Sequence, residues 1–450
     1  HYSYSIFGGD DRTKRIDYYW LGFLKMEFLD ALRDARTQLM TGGKNTLLNK
    51  VLTVQTENKI DDIKRTLLDL KELINKEGSV FLSIKKDIEK FLQRVSIENS
   101  ESEINFNFIG VESSDILKKI SLIYGTNPID IERNGLGINN LLYISLLLSQ
   151  LMQQVEKEDK KVFFRLIGIE EPEAHLHPHL QIHLSRNIDT ESSDERQIII
   201  TSHSAHITSQ LSLDDTIVLY HDENENKIKP YYLFKNIPQK SKNYLSRYLD
   251  ATKSTLFFAR KVILVEGISE QLLIPEFFKL KTNEVSIEQK GITLINVNGV
   301  AFSHFLEVIK AGYFVKNVAY TDSDFTKKSS ERAIDLQKKY DSDIIKVKIT
   351  SLETFEMDII ESNKSGEGKE LLFQALNKTK IENGPKLQSK TSSNNINVDE
   401  FFKEIESYKA EFAMNLLEVL KDGQNKDARR SFNVPKYIED GFTHITGSNE

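Results

Sequence analysis

Six short apolar runs, at residues 162–169, 197–204, 262–266, 292–296, 317–322 and 344–349, constrain this chain more than any other feature. Helix-length segments separate most of them. Strands that alternate with helices imply parallel sheets with right-handed crossovers, because a parallel pair cannot be closed by a tight hairpin. In such sheets the reactive groups collect where strands end at their carboxyl edge. Three of the runs end there in acid. "RLIGIEEPEAHLHP" (165–178) leads into Glu170 and Glu171, "VILVEGISE" (262–270) into Glu266, and "VAYTDSDF" (318–325) into Asp322 and Asp324. A buried strand that runs straight into clustered negative charge calls for a cation.

Composition narrows the classes. At 450 residues, two or three domains are expected. The absence of cysteine removes disulfides, zinc ribbons and thiol chemistry, and fits a reducing cytoplasm. A net charge of −7 argues against a wholly basic nucleic-acid wrapper but leaves room for a local basic groove. No apolar run is long enough to span a bilayer, and no signal-peptide pattern opens the chain.

The flanking segments read less sharply. Residues 16–39 fit a helix, with Phe28, Leu29, Leu32, Ala35 and Leu39 as its apolar stripe and Gly42–Gly43 as its end. Ile60, Ile63, Leu67, Leu70 and Ile74, then Ile84, Ile88, Phe91 and Val95, predict a helical hairpin with a narrow apolar seam. Two heptads per arm suit a short arm or a dimer-forming insert. A helix is expected at 138–155, two strands around a turn within 216–234, a linker at 235–254, a loop at 383–399 and a helical tail from 400 to 442.

At the first acid pair, Glu170 suits a Mg²⁺ ligand and Glu171 a base that orients and deprotonates water. His203, beyond the neighbouring strand, would lie near the same edge and reach a γ-phosphate. His175, His177, His179 and His183 also offer themselves as metal ligands; their spacing lacks the His-Glu-x-x-His pattern and no cysteine supports it, so local structure is the better reading. "IEEPEAHLHP" followed by "TSHS" resembles the Walker B, D-loop and H-loop of ABC-type ATPases. The form is that of the OLD (overcoming lysogenization defect) family, which includes the nuclease of Gabija anti-phage systems. The resemblance implies the Mg²⁺ role for Glu170, the general-base role for Glu171 and the switch role for His203. It marks "RNGLGINNLL" (133–142) as a divergent signature motif, where Gly135 and Gly137 expose backbone N–H groups at a helix start, a natural anion site. No G-x-x-x-x-G-K-[S/T] occurs; "TGGKNT" (41–46) has no glycine five residues before Gly43, and Asn45 replaces the Mg²⁺-binding hydroxyl. Because the chain starts at His1, an upstream P-loop lobe lost from this chain is the expectation, leaving half an ATP site.

The second acid set is larger. Glu270 follows Glu266 by one helical turn, Gly299 in "NVNGV" allows close backbone approach, and "TFEMDI" (354–359) adds Glu356 and Asp358. Phosphodiester hydrolysis must stabilise an attacking water and a leaving oxygen together; two divalent ions about 4 Å apart do both, and they need several carboxylates. Oxygen ligands suit Mg²⁺ or Mn²⁺ rather than zinc. The Glu…Asp-x-Asp order resembles a Toprim domain, with Glu270 and "TFEMDI" in the OLD-nuclease form. The resemblance implies Glu266, Glu270, Asp322, Asp324 and Glu356 as metal ligands. It also implies, from "YKAEFA" (408–413), that Lys409 steadies transition-state charge; by spacing alone a helical lysine is usually a solvated face. Lys327, Lys328, Arg429 and Arg430 are candidates for phosphate contact, with solvated surface as the default.

The expectation is therefore an α/β chain: an ABC-type ATPase half with a helical insert, followed by a C-terminal Toprim parallel α/β domain. Its expected limits are 1–104 (helical, with the hairpin), 105–240 (ATPase) and 255–450 (Toprim with helical tail). The expected function is a metal-dependent DNA endonuclease coupled to an ATPase module. The resemblance further implies ATP and DNA as ligands, a homodimer or tetramer, a role in prokaryotic phage defence and a helicase-like defence partner. The alternatives are an SMC-like DNA clamp with an inactive Toprim domain, or Toprim catalysis directed to RNA or strand passage.

Overall fold

A computed structural model of the chain describes residues 22–31, 34–40, 46–56, 122–124, 129–157, 164–190, 196–222, 225–232, 234–249, 253–311, 316–324, 330–391 and 395–447, with scattered residues before 22 and between 65 and 120. Most of the expected hairpin at 60–95, the glycine pair at 42–43, and Lys327 and Lys328 lie outside the described residues. The chain divides into two units, His1–Ser202 and His203–Glu450.

In the first unit, β1 (Leu24–Leu29), β2 (Phe164–Glu170) and β3 (Arg196–Thr201) form a parallel sheet in the order β1-β2-β3. The helix expected over 16–39 is thus replaced by a strand and a short helix, α1 (Ala35–Leu39). Leu, Lys, Met and Glu favour helix locally, but propensity is a weak prior against a full ladder. Leu24 to Leu29 pair one-for-one with Phe164 to Ile169. Gly168 leaves the space beside β2 that the Phe28 ring fills. Helices α2 (Leu47–Thr56), α3 (Leu136–Lys157) and α4 (Pro178–Thr190) and a short antiparallel pair, Ile123–Tyr124 with Ile129–Asp130, also belong to this unit. Its core joins Leu29, Leu47, Ile144, Leu147, Ile167, Ile169, Leu176, Leu184 and Ile188.

The second unit begins with short α5 (Ala205–Thr208) and the antiparallel hairpin β4 (Val218–Asp222)/β5 (Lys227–Tyr231), as the turn pattern predicts. The expected linker at 235–254 instead contains α6 (Gln239–Tyr248). Its surface is polar because one narrow face does the docking: Leu245 is buried, Tyr244 stacks on His304 at 4.3 Å, and Ser241 hydrogen-bonds the His304 ring at 2.9 Å.

There follow β6 (Lys261–Val265), α7 (Ile268–Lys281), β7 (Ile292–Asn296), α8 (Phe302–Lys310), β8 (Lys316–Thr321), α9 (Ser330–Tyr340) and β9 (Ile345–Ile349). The sheet is wholly parallel, in the order β9-β8-β6-β7. Alternate residues of its strands feed two cores, as a sheet covered on both faces requires. Val262, Leu264, Ala319 and Val347 pack with α6 and α8 residues. Ile263, Val265, Val318 and Tyr320 pack with α7 and with helices from the C-terminal part.

Those helices are α10 (Phe355–Ser362), α11 (Gly366–Thr379), α12 (Asn383–Lys390), α13 (Val398–Ile405), α14 (Lys409–Lys421), α15 (Lys426–Arg430) and α16 (Lys436–Thr446). The tail is helical as expected. The loop expected at 383–399 is in part α12. Polar groups of α11 hold it: Asn377 donates to the Gln388 side chain at 2.8 Å, and Lys369 donates to the Thr391 carbonyl at 2.7 Å.

Gly441 on α16 faces Tyr320, whose hydroxyl donates to the Ile438 carbonyl at 2.9 Å. A Cβ at 441 would collide with the Tyr320 ring. Gly441→Ala is expected to cost about 2 kcal/mol through overpacking, read as a lowered denaturation midpoint. A midpoint equal to the parent's would contradict this packing.

Candidate functional site

The strand order of the second unit places its acids. From β6 the chain goes outward to β7, then returns to β8 on the other side of β6 and continues to β9. The crevice between the carboxyl ends of β6 and β8 is therefore the switch point, where open α/β sheets bind ligands. Glu266 follows β6 directly and Asp322 follows β8 directly. Glu270 lies in the first turn of α7, and Glu356 in the first turn of α10 behind the N-cap Thr354. Carboxylates at helix starts are favoured by the exposed N–H groups there.

The contacts tie these groups together. Glu266 Oε2 accepts from the Thr321 hydroxyl at 3.0 Å and from the Asp322 N–H at 3.3 Å. The Phe355 N–H donates to Asp322 Oδ1 at 2.9 Å. Gly299, at φ +111°, donates its N–H to the Glu266 carbonyl at 2.8 Å, so the close approach expected at "NVNGV" exists and needs glycine. Lys409, the first residue of α14, pairs with Glu356 at 3.0 Å. Asp324 sits in left-handed backbone at φ 48° and is joined to the group through Arg332 on α9, which lies 3.3 Å from Asp324 and 3.7 Å from Glu266.

Crowding shows in the proton affinities. Burial, then repulsion from Glu356 and Glu266, raises Glu270 to about 7. Burial, then the charges of Glu270, Glu356 and Glu266, raises Asp322 to about 8. These acids resist ionising together, which is the electrostatic cost that a multivalent cation removes. The donor set is all oxygen and so fits Mg²⁺ or Mn²⁺. Among the described residues, no three His, Asp or Glu side chains already stand around one metal position. In this arrangement Lys409 and Arg332 take up part of the acid charge.

Asp358 stands with Glu356 in the acid motif, whereas its neighbours Tyr437 and Arg332 were not legible as site residues. Asp358 has a structural job: it accepts from the N–H groups of Ser351 at 2.6 Å and Leu352 at 2.9 Å, fixing the loop before α10. Tyr437 is buried close enough to Asp358, Asp322 and Glu270 for their charges to help raise its phenol. Arg332 carries no sequence signal beyond being an arginine in an amphipathic helix. Of the candidate phosphate contacts, Arg429 is engaged with Glu276 at 2.7 Å and Glu284 at 2.6 Å, an internal ion cluster. Arg430 remains exposed, 4.0 Å from Asp427.

In the first unit, Glu170 ends β2 and accepts from the Ala31 N–H at 3.2 Å. Glu171 has φ 40° and donates its N–H to the Thr201 carbonyl of β3 at 2.9 Å, which ties the acid pair to the end of β3. Asn140 on α3 donates to the Ala174 carbonyl at 2.9 Å. Gly137 packs so closely on the His175 carbonyl that a Cβ would clash, whereas Gly135 stands in open space. Gly137 thus docks the helix start on the acid loop, and only Gly135 keeps the open position expected of both. A cleft of ≈ 250 Å³ opens here, lined in part by Arg36, Leu136, Asn139, Asn140, Ala174 and His175. His177 and His179 stack ring on ring, with centroids 5.4 Å apart. His203 begins the second unit, just ahead of the α5 N-cap Ser204.

Both sheets and both acid sets define a class: an ATPase-type α/β unit followed by a Toprim-type α/β unit. Comparison with known proteins agrees. Residues 24–208 match the family model of the AAA ATPase domain, and residues 257–324 match that of the overcoming lysogenization defect protein-like TOPRIM domain. The chain combines these two domains. Endonuclease GajA of Bacillus cereus (strain HuB5-5) is 25% identical over 310 residues, covering 58% of this chain and 44% of that protein. The Old nuclease of Escherichia phage P2 is 27% identical over 206 residues, covering 44% and 34%. The chain thus spans about half or less of the length of these relatives. Among solved structures, the C-terminal region of the Xanthomonas campestris pv. campestris OLD protein is 21% identical with a TM-score of 0.32, covering 43% of this chain and 94% of that one. The corresponding region of the Burkholderia pseudomallei OLD protein is 19% identical with a TM-score of 0.33, covering 42% and 98%.

Proposed function

We propose that the second unit is a metal-dependent DNA endonuclease and that the first is its nucleotide-hydrolysing partner. The observation that carries the reading is the convergence of Glu266, Glu270, Asp322 and Glu356 at the switch point, where two of them are forced toward the neutral form. The named nuclease relatives support it. Divalent ions, Mg²⁺ or Mn²⁺, held by Glu266, Glu270, Asp322, Asp324 and Glu356 would polarise the scissile phosphate and activate water. Lys409, positioned by Glu356, adds positive charge where the pentavalent phosphate develops negative charge. Thr321 and the Phe355 N–H hold Glu266 and Asp322 in place, so the acids need little reorganisation.

Within residues 24–208, which match the ATPase model, Glu170 would take the Mg²⁺ of ATP and Glu171 would serve as base, with His203 as the γ-phosphate contact and Gly135 as part of the signature-motif anion site. Functional limits at 1–104, 105–240 and 255–450, assembly as a homodimer or tetramer, a helicase-like partner and work in phage defence in the cytoplasm complete the reading. Among the described residues no helix is long and apolar enough to cross a membrane.

Supercoiled plasmid incubated with the chain and Mg²⁺ or Mn²⁺ is expected to be nicked or linearised, and Asp322→Ala should yield neither product. Plasmid left intact by both proteins would favour an ATP-driven DNA clamp, and plasmid cut equally by both would count against Asp322 as part of a nuclease site.

A further inference from the structure

Among the described residues, Arg332 is the one cation of the acid cluster whose bonds are poor. Lys409 holds Glu356 at 3.0 Å, an ordinary charge-assisted distance. Arg332, by contrast, reaches Asp324 at 3.3 Å and Glu266 at only 3.7 Å, both through the same Nη2. Its Nε is buried and, among the described residues, has no acceptor. Guanidinium groups favour a planar, two-pronged partner, and a buried unmet donor costs free energy. This guanidinium is placed at the metal-ligand candidates without being satisfied by them.

Charge points the same way. Among the described residues, five carboxylates face the side-chain cations Arg332 and Lys409, so this group of side chains is negative. Two divalent ions would reverse that sign, leaving Arg332 beside a cationic centre. A phosphodiester supplies both the compensating charge and the two-oxygen edge that a guanidinium binds best.

Resting on the proposed metal-nuclease function, we propose that Arg332 is an exchange counter-ion: it holds Glu266 and Asp324 before metal loading, is displaced from them by the divalent ions, and then binds a DNA phosphate. Arg332 therefore opposes metal binding in the absence of DNA and favours DNA once metal is bound. Arg332 lies on α9 and not on a strand, so the exchange is assigned to its side chain.

The test measures Mn²⁺ binding without DNA by electron paramagnetic resonance, and binding of a labelled duplex in Ca²⁺ by anisotropy. The parent, Arg332→Gln and Arg332→Lys are compared, with thermal melts to check folding. Arg332→Gln is expected to bind Mn²⁺ about tenfold more tightly and the duplex about tenfold more weakly; Arg332→Lys, which keeps the charge, should stay within about threefold of the parent for Mn²⁺. Folded Arg332→Gln that binds Mn²⁺ no more tightly than the parent would overturn the exchange role while leaving the metal site standing. A parent that binds no Mn²⁺ would instead overturn the metal-site reading, and this inference with it.

Discussion

Asp322→Asn is expected to lower metal-dependent DNA cleavage by at least about a thousandfold while making the metal-free protein more stable. The two effects have one cause. Asp322 is pushed up to about 8 by burial and by the charges of Glu270, Glu356 and Glu266. A carboxyl group whose folded value lies above its unfolded value holds its proton more tightly when folded, so folding is favoured at low pH. That advantage is lost as pH rises from about 4, the unfolded value, through about 8. Glu270 behaves likewise up to about 7. Asparagine keeps the acceptor for the Phe355 N–H but cannot ionise. In chelator at pH 8.5, roughly, the variant should melt about 5 °C above the parent, and at about pH 4.5 the two should nearly coincide. A variant less stable than the parent at the higher pH would show that the acids are not crowded as described.

Lys409→Met is expected to slow cleavage by about a hundredfold or more, with the loss in kcat rather than KM. The ammonium is tethered by Glu356 at 3.0 Å and lies 5.1 Å from the Phe402 ring centre, so its charge is held in place before substrate arrives. Methionine retains the apolar stem and removes only the charge. Steady-state cleavage of a defined duplex checks the expectation; an unchanged kcat would return Lys409 to the solvated face that its spacing alone suggests.

How legible all this was in the sequence depended on how much each element relied on local signals. The strands at 261–265, 292–296, 316–321 and 345–349 were readable because each is a short apolar run between polar breaks. The strand at Leu24–Leu29 was not, since its partner Phe164–Glu170 lies far along the chain and Lys25 and Glu27 suit a helix locally. The same holds for α6 and α12, polar segments ordered by a few tertiary contacts such as Tyr244 on His304 and Asn377 to Gln388. At the site, Glu266, Glu270, Asp322 and Glu356 could be singled out because carboxylates at strand ends and first helical turns are chemically conspicuous. Arg332 could not, because an arginine on a helix looks like a solvated one until the fold brings it to Asp324. Gly137 carried the opposite lesson: a glycine suited to an anion site is used to let α3 touch the His175 carbonyl.

The measurement that bears most directly on the central claim is calorimetric titration of the chain with Mn²⁺, without DNA, in buffers of different ionisation enthalpy at pH 7 and pH 9. If Glu270 and Asp322 are crowded acids of a divalent-cation site, binding at pH 7 must release protons, because ligating carboxylates have to be ionised. The release should shrink at pH 9, where both groups have already ionised. No Mn²⁺ binding, or binding with the same proton release at both pH values, would contradict the account.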